Sequence, residues 1–206
     1  MEFLKQTTVF CILCLGALHS KAQLSGNLQK AFQNSYTHEG KKQYSEAISD
    51  VMPYYNESNY ETNLRIGWLS YLAKNYTSSQ IYYSRAVAIK PSAIEARFGF
   101  VQPLSLLGNW DKVLEQYTSI IKVDPQNTQA NYWIGVISYN RKQYANAIKF
   151  LNKVVTLYPF DYDGNHMLGW AYFFSGKKTE AKSCFEKALL IKPSDSSSTD
   201  GLNRSK

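Results

Sequence analysis

Residues 165–193 read NHMLGWAYFFSGKKTEAKSCFEKALLIKP. Leu168, Gly169 and Tyr172 are followed by Ala181, Phe185, Ala188 and Pro193. Small residues fall where two helices would touch, and larger apolar residues fall where the space between them must be filled. Pro193 stands where a second helix must stop, because proline cannot continue the hydrogen-bond ladder. Towards the N-terminus, Pro159, Pro125 and Pro91 continue the series at intervals of 34 residues. Other positions keep the same period. Slot 8 of each unit holds Gly67, Val101, Gly135 and Gly169, and slot 24 holds Tyr83, Tyr117, Leu151 and Phe185. Slot 27 holds Ala86, Ile120, Val154 and Ala188. A fixed period of this length marks stacked helix pairs, since a single pair cannot bury its apolar face alone.

The pattern Asn165-x2-Leu168-Gly169-x2-Tyr172…Ala181-x3-Phe185…Ala188…Pro193 resembles the tetratricopeptide repeat from about Leu28 to Pro193, with Asn165 in the slot of the opening Trp. The resemblance implies an all-α, right-handed solenoid of helix-turn-helix units. The expected organisation is a divergent first repeat at 23–59, then repeats at 60–93, 94–127, 128–161 and 162–195, with a mobile tail at 196–206. In the first unit Ala47 takes the slot of Ala147, the register is two residues short, and Pro53 stops the second helix early. In the second, Thr77-x-x-Gln80 reads as a capping box. In the third, Pro103 lies inside the first helix and should kink it or leave its start irregular. The tail is polar and short, so the last apolar face is expected to be capped poorly or by a partner.

Residues 1–22 read as a cleaved signal peptide. Val9 to Leu18 is a short apolar run, too short for a permanent span, and Ser20-Lys21-Ala22 supplies the small residues of a cleavage site. A lipoprotein is the competing reading, because Cys11 and Cys14 lie in this segment, although neither has a lipobox-like context. Export to a bacterial periplasm or beyond follows. Only Cys184 survives cleavage, so no internal disulfide forms. Cys184 reads as a space-filling residue, with an intermolecular disulfide as the alternative.

The chain has 206 residues, a formal charge of +7, 19% charged and 15% aromatic residues. Its Lys and Arg interleave with acids, which reads as a solvated helical face and not as a nucleic-acid or membrane surface. The mature chain holds His38 and His166 in different repeats, without metal-ligand spacing, and its glycines sit on packing slots, not in a phosphate loop. No catalytic group, metal or cofactor is implied. Asp161 and Asp163 read as helix-start residues.

In the family, the first helices of each pair line a concave face, and slots 2, 5, 9, 12 and 13 meet the ligand. Carried over, these positions nominate Trp68 and Tyr71, with Arg65 beside them, in the second repeat. They nominate Phe98 and Gln102 in the third and Tyr132 and Tyr139 in the fourth. His166, Trp170 and Phe173 follow in the fifth. The rings would form an exposed apolar patch large for a monomer, or would pack on one another. The expected partner is a protein, through an extended peptide or a helix. Other readings are a glycan-binding module and an accessory of an outer-membrane or secretion assembly. Chaperone-binding relatives clamp a carboxylate with Lys at slot 5 and Asn at slot 9. Here Leu64 with Trp68, Phe98 with Gln102, Tyr132 with Val136 and His166 with Trp170 stand there, so that clamp is absent.

Overall fold

A computed structural model describes residues 26–206, and the signal-peptide reading, with Cys11 and Cys14, falls outside them. All regular structure among the described residues is helical. The chain forms two compact units, dividing after Pro91. In the first, α1 (26–40) and α2 (Tyr44–Val51) precede a 3₁₀ turn at Met52–Tyr54, then α3 (Tyr60–Leu72) packs on α4 (Tyr76–Ile89). The second unit pairs α5 (Ile94–Leu106) with α6 (Trp110–Val123) and α7 (Thr128–Asn140) with α8 (Tyr144–Leu157). It continues with α9 (Tyr162–Phe174) on α10 (Lys178–Ile191), and closes with α11 (Ser196–Arg204).

Within three of the pairs the helices meet at the slot-8 glycine. A Cβ added at Gly135 would lie 2.6 Å from Leu151 Cγ, and one at Gly169 would lie 2.8 Å from Phe185 Cε1. At Gly67 the nearest atom is Tyr83 Cδ2, at 3.1 Å. Slot 24 of the second helix therefore fills the space that the missing side chain leaves. In the third repeat Val101 takes the glycine's place, and it is buried with Leu104, Val113 and Tyr117 in that unit's core.

A second lattice, of polar groups, repeats with the same period. Asn59, Asn127, Asp161 and Asp195 each cap a helix by accepting from a backbone N–H three residues on, at 2.6 to 3.0 Å. Four residues after each of the first three caps stands a buried asparagine. Asn131 Nδ2 donates to Asn127 O at 2.8 Å and Pro125 O at 3.1 Å, and Asn165 Nδ2 donates to Asp161 O at 2.7 Å and Pro159 O at 3.1 Å. Asn63 does the same toward Asn59 and Glu57. Each fastens the loop between pairs to the first turn of the next helix, satisfying carbonyls that would otherwise be buried unpaired.

The turns inside each pair are also periodic. Lys74, Gly108, Lys142 and Gly176 all have positive φ (61°, 72°, 58° and 82°), as does Lys42 at 60°. The residue after each donates to a carbonyl five back, for example Gln143 N to Ser138 O at 2.9 Å and Lys177 N to Tyr172 O at 2.9 Å. This is the Schellman closure, in which a left-handed residue lets the last carbonyls of a helix find donors.

Three expectations change. The second repeat has no capping box at Thr77: α4 begins at Tyr76, and Asn75 caps it by accepting from Ser78 N at 3.2 Å. An Asn one residue before the helix outcompetes a Thr already inside it. Pro103 does not interrupt α5, which runs unbroken with Pro103 buried in its last turn. The missing N–H leaves one rung unmade, toward the carbonyl four residues back, while the helix continues to Leu106. The tail is not a mobile segment, because Ser196–Arg204 is α11, capped by Asp195 and packed on α9 and α10.

Gly135→Ala should lower stability by about 1–3 kcal/mol through overpacking against Leu151. Lys142→Gly should raise it by roughly 0.5 kcal/mol, relief of the left-handed strain outweighing the added chain entropy. Urea unfolding midpoints of the two variants check both signs.

Candidate partner-binding surface

Arg65, Trp68 and Tyr71 follow one another at three-residue steps along α3, so they share a side of it. The structure does not leave Arg65 for a partner. Its side chain is 4% exposed, its guanidinium pairs with Glu39, and its Nε donates to Ser35 Oγ at 3.0 Å. The same group lies 3.9 Å above the Tyr36 ring. Glu39 also accepts from Trp68 Nε1 at 2.7 Å. Thus α1 is tied to α3 through one carboxylate, and Arg65 is a fold residue. Trp68 stays exposed, stacked on half-buried Tyr71 at 5.7 Å between ring centroids.

The remaining candidates lie in the second unit. Phe98 is half-buried against the core and meets Tyr117 edge-on at 6.2 Å. Tyr132 is half-buried against Trp133, and burial pushes its phenol up to about 12. Tyr139 leans on Tyr144 and Phe174, at 5.9 and 6.0 Å. Trp170 meets Phe185 at 5.1 Å and Phe173 at 5.7 Å. The broad exposed patch expected from the sequence is therefore not formed: of the seven nominated rings Trp68 alone is exposed, and the other six are half-buried. Ring-on-ring contact between neighbouring helices removes most of their surface.

At the end of the chain α11 covers His166, Trp170 and Phe173. Trp170 Nε1 donates to Ser197 Oγ at 3.1 Å, and the Arg204 guanidinium lies 4.7 Å above the Phe173 ring. Phe185 is fully buried between Gly169 and Gly201, whose added Cβ would fall 2.3 Å from its Cζ. The serine-rich segment thus caps the last face with a small-residue contact instead of apolar bulk. Hydrophobic content alone could not reveal it. The available signal was Asp195, which continues the 34-residue series of caps.

His166 Nδ1 is 2.9 Å from Ser198 Oγ and 3.6 Å from Asp195 Oδ2, while Nε2 is 3.5 Å from Ser197 Oγ. The residue types are those of a nucleophile, base and acid. However, Nδ1 is held by the fully buried Ser198 more closely than by Asp195, which caps α11. The geometry is that of a helix-docking contact. Burial depresses the His166 pKa below its ordinary 6.5, with Asp195 and Asp163 opposing and Lys192 adding to the shift. Cys184 is buried and free, and burial raises its thiol to about 11, so it stays protonated and fills space. Among the described residues no group of three His, Cys, Asp or Glu could hold a metal, and no helix is long and apolar enough to cross a membrane.

Gln102, nominated from its slot, is exposed and borders a place whose two tryptophans the sequence reading missed. With Val101, Ser105, Gln129 and Tyr117 it lines a cleft of ≈ 250 Å³, bounded by Trp110 and Trp133. The two tryptophans also bound an adjoining cleft of ≈ 230 Å³, with Val136, Asn140 and Arg141. Arg141 is neutralised by Asp111 at 2.7 Å. Trp110 is 46% exposed, while Trp133 packs partly against the core. Neither lies on a slot from which contacts were carried over, which is why both were missed. A free-standing Trp at the first position of α6 was the signal that could have found the site.

A neutral imidazole is what α11 docks on, so the folded state binds fewer protons at His166 than the unfolded chain. Its contribution is present above pH about 6.5 and is lost as pH falls from there through the lowered folded value. Thermal stability should fall over that window, and His166→Gln should flatten the fall, as a pH series of melting curves would register.

The tetratricopeptide-repeat family model matches residues 162–195, and a second tetratricopeptide-repeat model matches 107–162. No curated protein matches the chain. Among solved structures, a tetratricopeptide repeat protein from Parabacteroides merdae ATCC 43184 superposes with a TM-score of 0.74 at 17% identity, over 87% of this chain and 72% of that one. YrrB, described as a TPR protein with an unusual peptide-binding site, gives 0.72 at 12% identity, over 90% and 97%. MamA gives 0.71 at 17% identity, over 82% and 93%. Periodic sequence, helix pairs and these matches agree on an all-α solenoid, with tetratricopeptide repeats matched over residues 107–195.

Proposed function

We propose that this protein is a non-catalytic scaffold of the bacterial cell envelope that docks a segment of a partner protein on α5, α6 and α7 of its second unit. The observation that carries the reading is the pair of adjoining clefts around Trp110 and Trp133, with Gln102 on their rim. A concave surface with aromatic walls and a few amide groups is what anchors a short segment. The repeats support a protein partner, and the peptide-binding site named for YrrB is consistent with a peptide as the bound form. Trp68 and Tyr71 offer a second accessible contact in the first unit. His166, Trp170 and Phe173 leave the proposed surface, because α11 lies on them. Export rests on the apolar run Val9 to Leu18 and the Ser20-Lys21-Ala22 junction, which agree with a place in an envelope complex.

A second reading, glycan binding, draws on the same two indoles and their amide neighbours. Crosslinking capture from an envelope fraction separates them, using residues 23–206 as bait beside a Gln102→Ala/Trp110→Ala variant of native helicity. A protein captured by the parent and lost with the variant is the expected result. Capture that is equal in both removes the docking site from these clefts, and glycan retention without any protein favours the second reading.

A further inference from the structure

In the second unit each helix pair turns at one edge and passes to the next pair at the other, half a repeat away. The turns within pairs, 106–112, 140–146 and 174–180, hold five basic residues against two acidic ones. The connections between pairs, 123–129, 157–163 and 191–197, hold one basic residue against four acidic ones. Charges that interleave along the chain are therefore sorted in space, because each edge gathers the same segment of every repeat. Contacts join the three turns into one edge. Arg141 reaches Asp111 at 2.7 Å, and Phe174 meets Tyr139 and Tyr144 at 6.0 and 5.5 Å between ring centroids.

Local rules do not account for these cations. Lys177 and Lys178 hold the N-cap and first position of α10, where a hydroxyl or an acid is favoured, and Lys177 makes no side-chain cap hydrogen bond. Lys142 is held in the left-handed region that Gly108 and Gly176 occupy in the neighbouring turns. Lys112, Lys142, Lys177 and Lys178 are exposed and have no ion pair among the described residues. On the same edge Leu106, Leu107 and Phe174 are exposed, Leu106 by 56%.

We propose that this turn edge of the second unit binds the surface of an anionic lipid bilayer. The four lysines meet the headgroups, and Leu106, Leu107 and Phe174 enter the interface. Apolar side chains and clustered cations together give a reversible surface attachment that neither gives alone. A soluble polyanion would engage the cations and leave Leu106 and Leu107 in water. The opposite edge also exposes Tyr158 and Phe160, but its acids repel an anionic surface, so charge decides which edge faces the lipid. The proposal does not rest on the docking clefts. Trp110 stands on this edge but walls those clefts, so the test variants spare it.

The test is flotation of the chain from Gln23 to Lys206, which contains every described residue, with vesicles of phosphatidylcholine alone or with about a quarter phosphatidylglycerol. Binding should require phosphatidylglycerol and should fall between about 0.05 M and about 0.5 M salt. Each cation near an anionic leaflet strengthens partitioning by about fivefold, so Lys142→Gln/Lys177→Gln/Lys178→Gln should weaken it by at least about tenfold. Lys122→Gln/Lys153→Gln/Lys187→Gln removes the same charge elsewhere on α6, α8 and α10, and should leave binding within about twofold. Leu106→Ser/Leu107→Ser should weaken flotation while leaving retention on dextran sulfate unchanged. All variants are compared at native helicity. No flotation at the lower salt, binding that ignores phosphatidylglycerol, or equal loss in the two lysine variants overturns the proposal. Parental flotation of Leu106→Ser/Leu107→Ser also overturns it, because the cations would then answer any polyanion.

Discussion

In three of the helix pairs the approach of backbone to backbone depends on one missing side chain. Gly67, Gly135 and Gly169 face Tyr83, Leu151 and Phe185, and at the last two a Cβ would come within 3 Å of the opposing group. The rest of the stack follows from that contact. Close pairs turn slot 24 inward, where Leu151 and Phe185 lose all exposure to solvent. They also bring the second helix near enough for Ser79 Oγ to donate to Gly67 O at 2.8 Å. Where the glycine is replaced, at Val101, the neighbouring space is occupied by aromatic walls and open clefts instead of a tight seam. The departure from the repeat pattern and the candidate site coincide.

Burying so many helix ends close together creates a polar problem, which the chain solves periodically. A capping Asn or Asp, a buried Asn four residues on, and a left-handed residue in each turn recur with the repeat. In the third repeat Ala93 breaks the first series and Arg97 the second, and Thr199 ends the second after the last cap. Arg97 instead reaches Gln116 Oε1 at 2.7 Å. The region around α5 and α6 is therefore irregular in packing and in capping at once.

The first and last described repeats set polar groups against rings in different ways. At the N-terminal side Glu39 holds Arg65 and Trp68, a charged device on a register two residues short. At the C-terminal side α11 uses serines, Gly201 and Arg204 over a cluster of rings. In both cases polar residues sit against aromatic ones, where the stack would otherwise expose apolar surface to water.

The period of 34, the pairing of small with large slots and the positions of the stops were legible because they are local or strictly repeating, and they determine helix pairs that must stack. The first unit's shortened register and early stop were legible for the same reason: α2 ends at Val51, just before Pro53. Trp170 could be named from its slot, and Arg65 as a neighbour of Trp68 and Tyr71, but not their fate. Whether a side chain faces solvent or another element depends on segments far along the chain, and Glu39, Ser197 and Arg204 follow no repeat that points at them. The clefts at Trp110 and Trp133 likewise arise where residues of α5, α6 and α7 meet. Spacing specifies which residues share a helix face, whereas the packing of separate helices decides which faces remain for a partner.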